Sequence, residues 1–155
     1  MPGRRLLRAG FTIGLVLTSL LGIGSTAHAA PGSFAAASVH GGGTGATGAK
    51  AMGGISWYIR SVTLTSVKFY IAPHECAHFT VEAWQGGTMV DSFETGQLCA
   101  QSTGWWNSYG DISLDGSWVS GGITEVVIDA YDDTHKGHAW ADCTRTASSC
   151  STWPR

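Results

Sequence analysis

Residues 123–146 read ITEVVIDAYDDTHKGHAWADCTRT, and this stretch decides the fold. Apolar and polar residues alternate on both sides of the segment 132–137, whose Asp, Thr and Gly residues are typical of a turn. An antiparallel hairpin closed by that segment is apolar on one face in both strands at once, as a half-buried pair of strands requires. The apolar pairs predicted on this face are Ala130 with Ala139, Ile128 with Ala141, and Val126 with Cys143.

The same period of two recurs in the chain before the hairpin. The alternation in 62–71 changes parity at Thr65-Ser66, which predicts a bulge or a short turn that splits one long strand into two pieces. Gly86-Gly87 predicts a tight turn after 77–83, and only the segment 73–85 could be either helix or strand. With short strand-like pieces further along, we expect an all-β domain, an antiparallel β-sandwich or small barrel of about seven or eight short strands.

The first 29 residues have the pattern of a secretory signal peptide. Three arginines precede an apolar run over 11–23, and Ala27-His28-Ala29 is a small-x-small cleavage site. The run is shorter than the roughly 20 residues that a spanning helix needs. We therefore predict a secreted, extracellular protein without a membrane anchor, with residues 1–29 removed.

Residues 30–54 are rich in Gly and Ala, and we expect them to form a disordered spacer, because such a composition buries little apolar surface. Residues 55–155 would then form the folded domain. Without the signal, six Lys and Arg remain against eleven Asp and Glu, so the net charge is about −5. This balance argues against nucleic acid as a partner.

All four cysteines lie outside the signal peptide. In an oxidising compartment an even number of cysteines predicts disulfides. A hairpin about the Gly86-Gly87 turn brings Cys76 within reach of Cys99, and Cys143 with Cys150 would close a short loop near the C-terminus. The domain is thus expected to be stabilised by two disulfides.

His74-Glu75-Cys76-Ala77-His78 matches H-E-x-x-H and resembles the zincin metallopeptidases. The resemblance implies zinc bound by the two histidines, with Glu75 as the general base. It requires a helix, where positions i and i+4 share a face. The family's glycine and third ligand would stand at positions 81 and 84, where this chain has Val and Trp. We therefore favour a turn and strand without metal, and keep a small zinc endopeptidase as an alternative.

Seven tryptophans occur in the chain, and Trp105, Trp106 and Tyr109 lie close together in a loop-like stretch. Exposed aromatic side chains of this kind suit a ligand such as a glycan. Neighbouring residues of a strand point to opposite faces, so we expect at least one of the two tryptophans to be buried.

Asp129, Asp132, Asp133 and His135 crowd one end of the hairpin. Their spacing is not that of a calcium loop, and Asp is an ordinary turn residue. We expect a solvated turn there.

In overall composition the chain resembles the small secreted proteins of Gram-positive bacteria that combine a signal peptide with a short β domain. That resemblance supplies no functional residues. No Ser-His-Asp arrangement can be defended from the sequence, whereas a glycosidase pair among Glu82, Glu94, Glu125 and the aspartates stays open. We favour a non-catalytic binding or surface-interaction module. The expected partner is an extracellular ligand, either a glycan or a protein.

Overall fold

The computed structural model describes residues 29–39 and 45–154. The described residues form ten strands, and none forms a helix long and apolar enough to cross a membrane. The predicted signal peptide lies outside them apart from Ala29. The strands are β1 (Ser33–Val39), β2 (Thr47–Trp57), β3 (Ser61–Ile71), β4 (Cys76–Gln85), β5 (Thr88–Glu94), β6 (Leu98–Cys99), β7 (Trp105–Asp115), β8 (Glu125–Asp132), β9 (Gly137–Thr144) and β10 (Ser151–Pro154).

The strands form two antiparallel sheets packed face to face, so the predicted all-β sandwich is confirmed. One sheet has four strands in the order β1-β2-β3-β7, and the other has the order β10-β9-β8-β4-β5, with β6 paired to β4. The core lies between the sheets, where Phe69 of β3 stacks on Phe79 of β4 with ring centroids 4.1 Å apart. Each strand therefore has an inner face in the core and an outer face toward solvent.

The hairpin of β8 and β9 has the predicted register. Ala130 pairs with Ala139 and Ile128 pairs with Ala141, and these four side chains are buried. The side chains at the intervening positions of both strands lie on the outer face. Because each inner residue meets another apolar residue across the pair, a slip by one position would expose the whole set.

The prediction of a disordered spacer over 30–54 is wrong where the structure describes it. β1 and β2 pair with each other and add two strands to the four-stranded sheet. Ala49 and Ala51 are fully buried, and Gly53 lies under the Phe34 ring, where an added Cβ would come within 2.9 Å of a ring carbon. A high content of small residues therefore does not mean that this segment lies outside the core. Here they let the strand pack closely against its neighbours.

The predicted bulge in β3 is confirmed. The pairing of β3 with β2 and β7 shifts near Thr65, and Ser66 has a positive φ of 51°. The Ser66 amide donates a hydrogen bond of 2.9 Å to Asp111 Oδ1. The strand nevertheless continues through the bulge to Ile71, so the predicted two pieces form one long strand.

Both predicted disulfides are present. Cys76 is bonded to Cys99, directly across the β4–β6 pair, and Cys143 is bonded to Cys150. No free cysteine occurs among the described residues. The larger number of strands than predicted comes mainly from β1 and β2, which had been assigned to the spacer, and from the short C-terminal β10.

Candidate functional site

The segment that contains the H-E-x-x-H motif is a turn followed by a strand, which answers the question left open for 73–85. His74 lies in the turn with a φ of +61°, and β4 starts at Cys76. The helix that would bring both imidazoles of the motif to one metal ion does not form in this segment. His78 instead faces Asp133, with 3.0 Å between Nδ1 and Oδ1.

Glu75 lies in a different cluster, at the loop of the β8–β9 hairpin. His135 Nδ1 is 3.3 Å from Asp132 Oδ2 and 3.7 Å from Glu75 Oε1. One donor atom from each of the three side chains lies within 4.8 Å of the other two, so the cluster could hold a metal ion. Without a metal ion, the contact between His135 Nδ1 and Asp132 Oδ2 gives both groups a hydrogen-bond partner. Asp132 is only 1% exposed, so the prediction of a solvated turn is wrong for this residue.

Backbone hydrogen bonds explain why this hairpin loop is ordered. Asp132 Oδ1 accepts hydrogen bonds from the amides of Thr134 and His135, at 2.9 and 3.0 Å. The Cys76 amide donates to Thr134 Oγ1, and the Cys76 carbonyl accepts from the Asp133 amide, both at 2.9 Å. The buried carboxylate therefore closes the loop, and the loop is tied to the start of β4.

A row of rings crosses the outer face of the six-stranded sheet. His78 and Tyr131 have centroids 4.7 Å apart, Tyr131 and His138 are 5.7 Å apart, and His138 and Trp140 are 5.3 Å apart. His138 is also paired with Asp129, with 3.3 Å between Nδ1 and Oδ2. The contacts of Tyr131 with His78 and His138 cross between strands and are of the kind that stabilises a sheet, while His138 and Trp140 are neighbours on one face of β9, so the row has a structural explanation.

The structure separates the three aromatic residues that the sequence grouped as a ligand site. Trp105 and Trp106 are 40% and 48% exposed, so the expectation that one of them is buried is wrong. The alternation of β7 would direct the Trp105 side chain into the core. Trp105 is exposed because it is the first residue of an edge strand and lies beside the preceding loop. Tyr109 is directed inward and packs on Phe69 and Phe93, at 5.0 and 5.7 Å. Only Trp106 belongs to the outer face of the four-stranded sheet.

Trp106 is part of a regular group of side chains on that outer face, which we call the Trp106 patch. Because Ala49, Ala51 and Phe69 point into the core, the residues that alternate with them point outward. Two rows of direct cross-strand neighbours result. The first row is Lys50, Tyr70 and Trp106, and the second is Met52, Lys68 and Ser108.

The patch borders two hollows in the surface. One, of about 470 Å³, lies beside Trp106 and is also lined by Asn107, Ser108, Met52 and Lys68. The other, of about 620 Å³, continues from Met52 and Lys68 toward β1 and the C-terminal loop. The two hollows share Met52 and Lys68 and so lie side by side on this face, and together we call them the groove. The second hollow is lined by Ser33, Phe34, Ala35, Met52, Gly53, Gly54, Ser66, Lys68, Ser149, Cys150 and Thr152.

Trp106 and Tyr70 form the aromatic wall of the patch. Their ring centroids are 5.2 Å apart and their planes are inclined by 45°. Gly104 lies close to the Tyr70 hydroxyl, where an added Cβ would come within 2.6 Å of the oxygen. The absence of a side chain at this position lets Tyr70 lie against the strand that carries Trp106, and so fixes one ring relative to the other.

Sequence reasoning found Trp106 but missed the remainder of the patch. Lys50 and Met52 lie in the stretch that was assigned to the spacer. The alternation of Ala49 and Ala51 with these two long side chains was the available signal. It was overlooked because alanine contributes little to an apolar pattern.

Comparison with protein-family models, with curated proteins and with solved structures finds no match to this chain. Its function is therefore inferred from the geometry and charge of its surfaces.

Proposed function

We propose that this protein is a non-catalytic binding module that acts outside the cell and recognises glycans through the Trp106 patch. The observation that carries the proposal is an exposed tryptophan set against a tyrosine beside an open groove. Trp106 is 48% exposed and Tyr70 lies 5.2 Å from it. An exposed aromatic surface of this kind is a common mark of a binding site.

The chemistry of the patch suits a sugar ring. A pyranose has an apolar C–H face that can lie on an indole ring, and hydroxyl groups at its edge that need hydrogen-bond partners. Trp106 offers the flat apolar surface, and the indole adds a polar N–H group. Ser108 and Asn107 line the same hollow and provide hydroxyl and amide groups. A few polar groups around an apolar surface are the usual composition of a small-molecule site.

The groove lacks the residues that glycoside hydrolysis would need. Retaining and inverting glycosidases use a pair of carboxyl groups on either side of the scissile bond. Among the described residues that line the two hollows, none is Asp, Glu or His. Binding without cleavage is therefore the function that this groove supports.

The disulfide bonds of the chain are compatible with an extracellular location. The four cysteines form two disulfides, and such bonds persist in oxidising compartments. Together with the signal pattern at the start of the chain, this supports a secreted protein.

The proposal is tested by titrating the purified protein with soluble polysaccharides and following tryptophan fluorescence and heat of binding. We expect at least one polysaccharide to bind, and the Trp106→Ala variant to lose at least about tenfold in affinity, as a central aromatic contact does. Trp118→Ala is the matched control, because Trp118 is 64% exposed and lines neither hollow. That variant is expected to bind like the original protein.

Thermal melts of both variants separate loss of binding from loss of fold. Binding that survives in Trp106→Ala and disappears in Trp118→Ala would overturn the assignment of the site. A complete lack of binding across neutral and acidic polysaccharides would overturn the function.

A further inference from the structure

The Trp106 patch is positively charged although the protein is not. The whole chain has 9 Lys and Arg against 11 Asp and Glu. Two of its lysines, Lys50 and Lys68, nevertheless lie on one outer face, in the two adjacent rows of the patch. The charge of the patch is therefore opposite in sign to that of the chain as a whole, and Lys68 brings it into the groove.

The two lysines are diagonal neighbours on adjacent strands. Lys50 is directly opposite Tyr70, and Lys68 is two residues before Tyr70 on the same strand. The Cα atoms of diagonal neighbours are about 7–8 Å apart, so the like charges of two lysines in this arrangement repel each other. No carboxylate among the described residues lies within 4.0 Å of either ammonium group. An anion between them would relieve this repulsion.

Resting on the glycan-binding function proposed above, we infer that the ligand is an anionic polysaccharide built from uronic acid units. The carboxylate of a uronic acid is a substituent at the edge of the pyranose ring. A ring that lies on Trp106 therefore directs its carboxylate sideways along the sheet, toward the lysines of the neighbouring strands. The aromatic surface would bind the sugar ring, and the ammonium groups of the lysines would bind its carboxylate.

The length of the groove favours a polymer over a single sugar. The two hollows of about 470 and 620 Å³ lie on either side of Met52 and Lys68, which line both of them, and each has the size of a complete small-molecule site. Lys68 lines both hollows and lies near the middle of the groove. Consecutive units of a chain would thus pass the same charged side chain.

The test uses one polymer in two charge states. Sodium polygalacturonate is compared with its highly methyl-esterified form, which has the same sugar backbone without the negative charge. We expect the purified protein to bind the acid form and to bind the ester at least about tenfold more weakly. Raising NaCl from about 50 mM to about 500 mM should weaken binding to the acid form, because exposed charges are screened.

Substitutions of the two lysines test whether the positive charge that binds the polymer belongs to the Trp106 patch. We expect Lys68→Gln to lower the affinity for polygalacturonate about three- to tenfold, and the Lys50→Gln/Lys68→Gln double variant to lower it further. Lys136→Gln is the control, since Lys136 is an exposed lysine in the loop of the β8–β9 hairpin, on the other sheet. It should bind like the original protein, and thermal melts should show that all these variants are folded.

The outcomes separate this inference from the function on which it rests. Equal binding of the acid and the ester, both lost in Trp106→Ala, would leave glycan binding intact and overturn the anionic ligand. Binding of polyglutamate as tight as that of polygalacturonate would show recognition of charge without sugar, and would overturn the inference. If neither form of the polymer nor any neutral polysaccharide binds, the proposed function itself fails.

Discussion

Glu125 of β8 and Asp142 of β9 bring their carboxyl groups together on the outer face of the six-stranded sheet. They are diagonal neighbours, because Glu125 is paired with Thr144, two residues beyond Asp142. Burial raises the pKa of Glu125 above its ordinary value of 4.5, and the charge of Asp142 and a hydrogen bond to it raise it further. The folded protein therefore binds a proton at Glu125 more tightly than the unfolded chain does.

This relationship makes part of the stability depend on pH. Because the pKa is higher in the folded state, the contribution is fully present below about pH 4.5 and is lost as the pH rises through the raised value. We expect Glu125→Gln to stabilise the protein at pH 7 by about 0.2–1 kcal/mol, the size of a cross-strand pair, and to have little effect at pH 4. Thermal melts at the two pH values measure this. A lower melting temperature for the variant at pH 7 would contradict it.

Asp132 provides a test of the hairpin loop. It is buried, and its Oδ1 atom accepts two backbone hydrogen bonds that close the loop. Asp132→Ala leaves both donors unsatisfied and is expected to cost about 2–3 kcal/mol of unfolding free energy. Asp132→Asn keeps the acceptor oxygen and should cost about 1 kcal/mol. Denaturant unfolding compares the two, and equal losses would mean that the charge facing His135 matters more than closure of the loop.

The sequence was sufficient for the parts of the fold that depend on large apolar residues. The hairpin from Val126 to Cys143 was predicted in its correct register, because every inner position has an apolar partner across the strand pair. β2 was missed because its inner residues are Ala49 and Ala51. Their burial depends on how closely the facing sheet approaches, which is a property of the assembled sandwich.

The burial of β2 can be tested at Ala51, which is fully buried. We expect Ala51→Leu to destabilise the protein by about 1–3 kcal/mol, because added methyl and methylene groups overpack a close contact. Ala46→Leu is the matched control, since Ala46 is exposed just before the strand. Unfolding curves for the two variants give the comparison. A neutral Ala51→Leu would restore the interpretation of this stretch as a spacer.

The candidate site was only partly accessible from the sequence for a similar reason. Trp106 could be identified by its residue type, but its neighbours Lys50 and Lys68 come from strands far away in the chain. Glu75 likewise meets His135, and no spacing rule links those positions. Such contacts become visible only once the order of strands in each sheet is known.

The H-E-x-x-H motif allows a final test that separates a strand from a metal site. His74 has a φ of +61°, a conformation that favours glycine, and its amide hydrogen bond of 2.7 Å to the Gln101 carbonyl does not need a side chain. We therefore expect His74→Gly to be at least as stable as the original protein. His78→Ala should lose about 1 kcal/mol with the contact to Asp133. Neither variant should change casein hydrolysis, which we expect to be absent with or without a chelator. Stoichiometric zinc that disappears in both variants, together with hydrolysis that disappears in Glu75→Gln, would contradict this and restore the zinc-peptidase interpretation.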